Sequence, residues 1–251
     1  MRVIGLAVIA GAIVLGLGTP SAWATTVIDH FATGSFGTLT VQGTNGATAT
    51  SGNIVASGAI GGYRDVILTL TAKGSGADNS NASLSISLPD DLHQLTWNNL
   101  DGNRSTLEVK YFGSGGTGFA VQDLTVGGAT QWVFDYGQFA TGDAPEKVTI
   151  TAYSGSDSTT WQMIVQNTPT GSGGVGIIPY SASVSHTGSG ADLAAVTGLD
   201  YFFDMTPSLS GGKNYSFDAF DTGTIPEPLT MAGLLLGIGS VVGYARKRRV
   251  A

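Results

Sequence analysis

The chain contains no cysteine, only three histidines and few charges, with Asp, Glu, Lys and Arg making up 12% of its residues. Without cysteine there is no disulfide, no thiol nucleophile and no thiolate ligand, so the fold has to be held by apolar burial. Basic residues are the scarcer charge: residues 25–224 carry 6 of them against 17 acidic ones, a net of −11. That balance argues against a nucleic-acid partner and for an acidic, soluble domain. The histidines, His30, His93 and His186, stand beside no G-x-S-x-G elbow, so spacing alone assembles no nucleophile with its base. Helical periodicity is also nearly absent between residues 25 and 224.

What is abundant is glycine, 38 of 251 residues, and between the glycines lie short segments of period two. Leu39 and Val41 alternate with threonine, and Leu84, Ile86 and Leu88 with serine. Leu107, Val109 and Tyr111 alternate with Glu108 and Lys110. Further strands are predicted at Val66–Leu70, Phe119–Val126, Gln131–Tyr136, Lys147–Tyr153, Trp161–Gln166, Leu199–Met205 and Asn214–Phe220, each bounded by turn residues. Such a series predicts an all-β domain, an antiparallel β-sandwich of jelly-roll type, rather than a parallel sheet with crossover helices. Residues 168–190 are the least strand-like and are expected to form a long loop inside a single domain spanning residues 25–224.

Two segments flanking this body read as addresses. Arg2 precedes an apolar run from Val3 to Leu17 and then Ala22-Trp23-Ala24, an A-x-A site for signal peptidase, so residues 1–24 are expected to be a secretory signal peptide. An uncleaved N-terminal anchor is the alternative. At the other end Pro226-Glu227-Pro228 precedes an apolar run from Leu229 to Tyr244 and the basic cluster Arg246-Lys247-Arg248-Arg249. A helix over 229–244 measures about 24 Å against a hydrocarbon core of about 30 Å. It spans only if the basic cluster snorkels into the headgroups, which also makes that cluster a stop-transfer signal and sets a cytoplasmic orientation.

This three-part pattern resembles the PEP-CTERM sorting tail. The resemblance covers residues 225–251. It implies recognition at Pro226, Glu227 and Pro228 by the membrane enzyme exosortase, export across the inner membrane with transient anchoring, and delivery of the body to the cell surface or the extracellular space. A permanent single transmembrane helix is the alternative. Proteins with this tail tend to occur in bacteria that make exopolysaccharide. Gly61-Gly62-Tyr63-Arg64-Asp65 also resembles a segment of other ectodomains with such tails, and implies no function by itself.

Within the body few groupings carry chemistry. Gly113–Gly118 and Gly171–Gly176 satisfy G-x-G-x-x-G, but neither opens a helix that could hold a pyrophosphate, so both are expected to be turns. Asp200 and Asp204 share a strand face about 13 Å apart, too far for a glycosidase pair. Asp218 and Asp221 point to opposite faces of a continuous strand. The turn at Asn98–Asn103 offers oxygen ligands but fails the EF-hand pattern, with Thr106 where glycine belongs and Phe112 where glutamate belongs. No cofactor and no metal site is therefore expected, calcium being the one ion that turn could take. Of the tryptophans, Trp132 and Trp161 alternate with apolar residues and belong to the core. Trp97, with polar neighbours, is the candidate for stacking on a sugar ring.

These features predict a non-enzymatic exported protein with a structural or adhesive role in an exopolysaccharide matrix. A carbohydrate-binding module is the alternative. A polysaccharide-processing enzyme is the third possibility and requires carboxylates that converge from neighbouring strands.

Overall fold

The computed structural model describes residues 26–41, 44–73, 84–88, 94–99, 103–138, 147–164, 174–206 and 213–224. The expected signal peptide, the sorting tail and residues 100–102 of the Asn98–Asn103 turn lie outside them. Among the described residues no helix is long and apolar enough to cross a membrane.

The strands, in chain order, are β1 (Val27–Asp29), β2 (Phe36–Val41), β3 (Thr48–Thr50), β4 (Ile54–Val55), β5 (Tyr63–Ala72), β6 (Leu84–Leu88), β7 (Leu95–Asn99) and β8 (Arg104–Tyr111). They continue with β9 (Gln131–Gln138), β10 (Lys147–Ser154), β11 (Asp157–Met163), β12 (Gly174–Pro179), β13 (Ser183–Thr187), β14 (Gly198–Asp204) and β15 (Lys213–Gly223). The period of two is realised directly: along β5, β8 and β10 every second side chain is buried. Valine, isoleucine, threonine and aromatic residues dominate these strands because their branched or flat side chains suit a pleated surface.

The strands form two antiparallel sheets. The first runs β12-β9-β15-β7-β6-β2, with β1 also on β15; the second runs β13-β11-β10-β14-β8-β5-β3, with β4 also on β5. Their inner faces meet through rings. Tyr201 of the second sheet stacks on Phe220 of the first at 4.4 Å, Phe203 meets Phe217 at 4.3 Å, and Trp161 meets Trp132 edge-on at 5.1 Å. Each such pair adds about 0.5–1.5 kcal/mol to the burial of its rings. The expected all-β, antiparallel sandwich is thus present.

One polar cluster lies inside this apolar layer. Asp29 of β1 and Arg64 of β5 form an ion pair, Nε to Oδ2 at 2.6 Å, with both side chains almost wholly buried. Tyr111 of β8 donates its hydroxyl to Asp29 Oδ2 at 2.9 Å, and the Phe31 amide donates to Oδ1 at 2.7 Å. The cluster ties β1, in the first sheet, to two strands of the second. It also explains the Gly61-Gly62-Tyr63-Arg64-Asp65 segment. Gly61 and Gly62 turn the chain into β5 at φ 72° and 73°, and a Cβ on Gly61 would stand 2.7 Å from the Phe119 side chain, so glycine is required there.

Three expectations change. Residues 119–126 form no strand; they are a loop that buries Phe119 and Leu124 and is held by the bridge between Gln122 and Val196 and by the Phe119 and Leu124 amides, which donate to the Thr197 and Leu193 carbonyls. The supposed loop at 168–190 contains β12 and β13, edge strands whose glycine and serine content masked their alternation. Asp218 and Asp221 do not face opposite ways. A bulge between Phe217 and Ala219 places an extra residue in β15, which keeps Phe217 and Phe220 inside and turns both aspartates outward.

Candidate functional site on the outer face of the second sheet

The strand register of the second sheet lays its outward side chains in rows that cross the strands. One row reads Ser185, Thr160, Thr151, Asp200, Lys110 and Asp65. The next reads Gln162, Thr149, Phe202, Glu108, Ile67 and Thr50. At about 4.8 Å between strands, six strands make a face roughly 24 Å wide. Hydroxyl, carboxyl, amide and ammonium groups therefore share one continuous face, a supply of donors and acceptors suited to a polyhydroxylated ligand.

Aromatic rings rise from the same face. Tyr153, near the end of β10, and Phe112, just after β8, meet at a centroid distance of 5.2 Å and a tilt of 54°. Phe112 lies over Gly198, where a Cβ would stand 2.6 Å from the ring; the glycine makes room for it. Phe202 on β14 and Tyr63 on β5 have outward positions by strand alternation, and all four aromatics are half-buried. A half-exposed ring offers a flat apolar surface at little entropic cost, which is what stacking against a sugar needs.

Charge concentrates at the centre. Lys110 Nζ lies 2.9 Å from Glu108 Oε1, two residues along the same strand face. Asp200 stands directly across from Lys110 in the β8–β14 pairing and diagonally from Glu108. Burial beneath the surrounding side chains, then the nearby charge of Glu108, push the Asp200 carboxyl up to about 8. Burial works against the Lys110 ammonium, but Glu108, Asp200 and Asp65 outweigh it and hold Lys110 above its ordinary value. Burial likewise raises the Tyr153 phenol, helped by Asp200. At the edge of the face Thr50 Oγ1 donates to Asp65 Oδ1 at 2.7 Å, and the Thr151 and Thr160 hydroxyls lie 3.2 Å apart.

Trp97 is elsewhere. It is fully buried on the inner face of β7, between Tyr215 and Ile86 in register, so its indole presents no surface to a sugar. Its polar neighbours Thr96 and Asn98 occupy the alternate, outward positions of the same strand. Trp132 and Trp161 are core residues as expected. Gly113–Gly118 is a turn with no helix after it, and Asp200 and Asp204 share the outer face as expected. Glu108 and Asp200 are carboxylates that converge from neighbouring strands, set diagonally across the β8–β14 pairing. Among the described residues no group of three or more His, Asp or Glu is placed to hold a metal ion.

The opposite face of the sandwich differs in kind. Across β12, β9 and β15 it presents Val175, Ile177 and Val133 beside Asp135, Asp218 and Asp221. His30 Nε2 pairs with Asp221 at 2.9 Å, and Gln94 donates to Asp218. These aliphatic and acidic side chains offer no ring for stacking.

No protein-family model and no curated protein sequence matches the chain. Solved structures do resemble it. A family 11 carbohydrate-binding module from Clostridium thermocellum, in complex with a β-1,3-1,4-mixed-linked tetrasaccharide, aligns at 11% identity with a TM-score of 0.38, over 82% of this chain and 99% of its own. The N-terminal cellulose-binding domain of Cellulomonas fimi β-1,4-glucanase C aligns at 12% identity and a TM-score of 0.31, over 80% of this chain and 99% of its own. An agarase, AgWH50C, aligns at 9% identity and a TM-score of 0.39, over 57% of this chain and 22% of its own. Similarity at this level assigns neither a ligand nor a residue role to the present chain.

Proposed function

We propose that this chain is a non-enzymatic, exported glycan-binding protein that uses the outer face of its second sheet to hold extracellular polysaccharide. One observation carries this reading: the half-buried rings Phe112 and Tyr153 stand at the end of a platform whose rows supply hydroxyl, carboxyl and ammonium groups. Stacking on a sugar's apolar face and hydrogen bonding to its rim are the two interactions such a ligand requires. Binding of this kind gives the adhesive role in an exopolysaccharide matrix its physical basis. The direct test is co-sedimentation of the full-length chain with the producing organism's own extracellular polysaccharide. Retention that competes with soluble polysaccharide is the expected result, and no retention overturns the assignment.

The route to the surface is part of the same proposal. The Ala22-Trp23-Ala24 site supports removal of residues 1–24 by signal peptidase, and Pro226-Glu227-Pro228 with its apolar and basic segments supports sorting by exosortase. Glu227→Ala is expected to leave the chain uncut and membrane-associated, as read by immunoblot of membrane and medium fractions. Normal processing of that variant contradicts the sorting assignment.

A further inference from the structure

The strand register sorts one end of the second sheet's outer face into an apolar row and a charged row. Tyr153 stands opposite Gly198, the Phe112 ring lies over that glycine, and Tyr63 stands opposite Val55 of β4. Asp65 pairs with Lys110, so Tyr63 and Phe112, each two residues from that pair toward the same end, are level with one another. The three rings and Val55 form one line across β10, β14, β8, β5 and β4, four strand spacings or about 19 Å long. Two residues along the strands, about 7 Å away, the next row reads Thr151, Asp200, Lys110 and Asp65. A sugar stacked on the rings sets its rim against that row.

The row and the one behind it hold three carboxyl groups, Asp65, Asp200 and Glu108, and one ammonium, Lys110. That ammonium is already engaged, with its Nζ 2.9 Å from Glu108 Oε1. Burial lifts the Asp200 carboxyl to about 8, so at neutral pH it is mostly an uncharged acid, and Asp65 and Glu108 still outnumber Lys110. The other outward cations of these strands are remote. Lys147 pairs with Asp204, and Arg104 with Ala72, which puts them about 14 Å and about 20 Å along the strands from the Lys110 row, beyond a Debye length of about 8 Å.

We propose that this face selects neutral polysaccharide, and that Asp65 and Glu108 are the residues that turn away chains bearing acidic sugars. The proposal rests on the glycan-binding reading of this face. A chain of hydroxyls finds donors and acceptors in both rows. A ligand carboxylate in the same place meets two acidic side chains and an ammonium already neutralised by one of them, and stacking on the rings strips away water that would screen the repulsion. The discrimination comes from a repulsive element rather than from an added contact, so replacing the two carboxylates by amides admits acidic chains.

The test uses the full-length chain and the producer's own extracellular polysaccharide, separated by anion exchange into neutral and acidic fractions, with part of the acidic fraction carboxyl-reduced to neutral sugars. Affinity electrophoresis at neutral pH measures binding to each. Expected is binding to the neutral and the carboxyl-reduced fractions at least about tenfold tighter than to the untreated acidic one. The double variant Asp65→Asn/Glu108→Gln is expected to narrow that ratio to within about threefold. Asp65→Asn alone, which keeps the pair between Lys110 and Glu108, is expected to narrow it part of the way. The ratio is its own control for folding, since a misfolded chain loses every fraction alike. Acidic chains bound as tightly as neutral ones overturn the selection and leave the glycan reading standing. A ratio unchanged in both variants overturns the assignment to Asp65 and Glu108. Absence of binding to all three fractions overturns the glycan reading, and the selection with it.

Discussion

Arg64→Met is expected to cost the fold about 3–5 kcal/mol, the penalty for leaving a buried carboxylate without its cation. Asp29 is almost wholly buried and receives the Arg64 Nε at 2.6 Å and Nη2 at 3.0 Å, while Arg64 also donates to the Thr33 carbonyl and lies 4.9 Å over the Phe31 ring. Methionine replaces the packing of the arginine stem but none of these bonds. β1 is three residues long and, among the described residues, joins the first sheet through β15 alone, so this cluster is a large part of what holds it in place. At about 2–4 °C per kcal/mol for a domain of this size, the thermal midpoint falls by roughly 6–20 °C. Adding Asp29→Asn to the same chain removes the stranded charge and is expected to recover part of the loss. Thermal melts of the two variants check both points, and a loss under about 1 kcal/mol for the single variant contradicts this account of the cluster.

Tyr153→Ala is expected to weaken glycan binding at least tenfold, about 1.4 kcal/mol or more, because it removes one stacking surface and loosens a second. Phe112 leans on Tyr153 at 5.2 Å and on Gly198 beneath it; without the tyrosine its ring loses one of its two supports. Ile177→Ser, on the outer face of the other sheet, is the matched control and should leave affinity unchanged. Isothermal titration of both full-length variants with the producer's polysaccharide distinguishes them. Equal losses in the two variants would place the effect in folding and not in the face.

The fold class was readable from residues such as Leu107, Val109 and Tyr111, whose strict alternation with Glu108 and Lys110 survives into β8. β12 and β13 were not readable, because Gly174, Gly176 and the serines of an edge strand carry little apolar signal, and an edge strand needs little. The bulge in β15 defeated the face assignment of Asp218 and Asp221, since one extra residue reverses every later side chain. The candidate site was legible only in pieces. Asp200 and Glu108 each lie in a predicted strand, yet no local pattern says that β8 and β14 are neighbours, and their shared place on one face exists only through that pairing. Trp97 misled for a related reason: polar neighbours in sequence become opposite-face neighbours in a strand, so they say nothing of a residue's own exposure.

The measurement that bears most directly on the central claim is a ligand titration of the full-length, isotope-labelled chain followed by NMR, read at side chains on both outer faces. Binding at the second sheet predicts shifts at Phe112, Tyr153, Phe202, Lys110 and Thr151, with Val133, Val175 and Ile177 unmoved. Shifts confined to Val133, Val175 and Ile177, or no shifts at saturating polysaccharide, would contradict it.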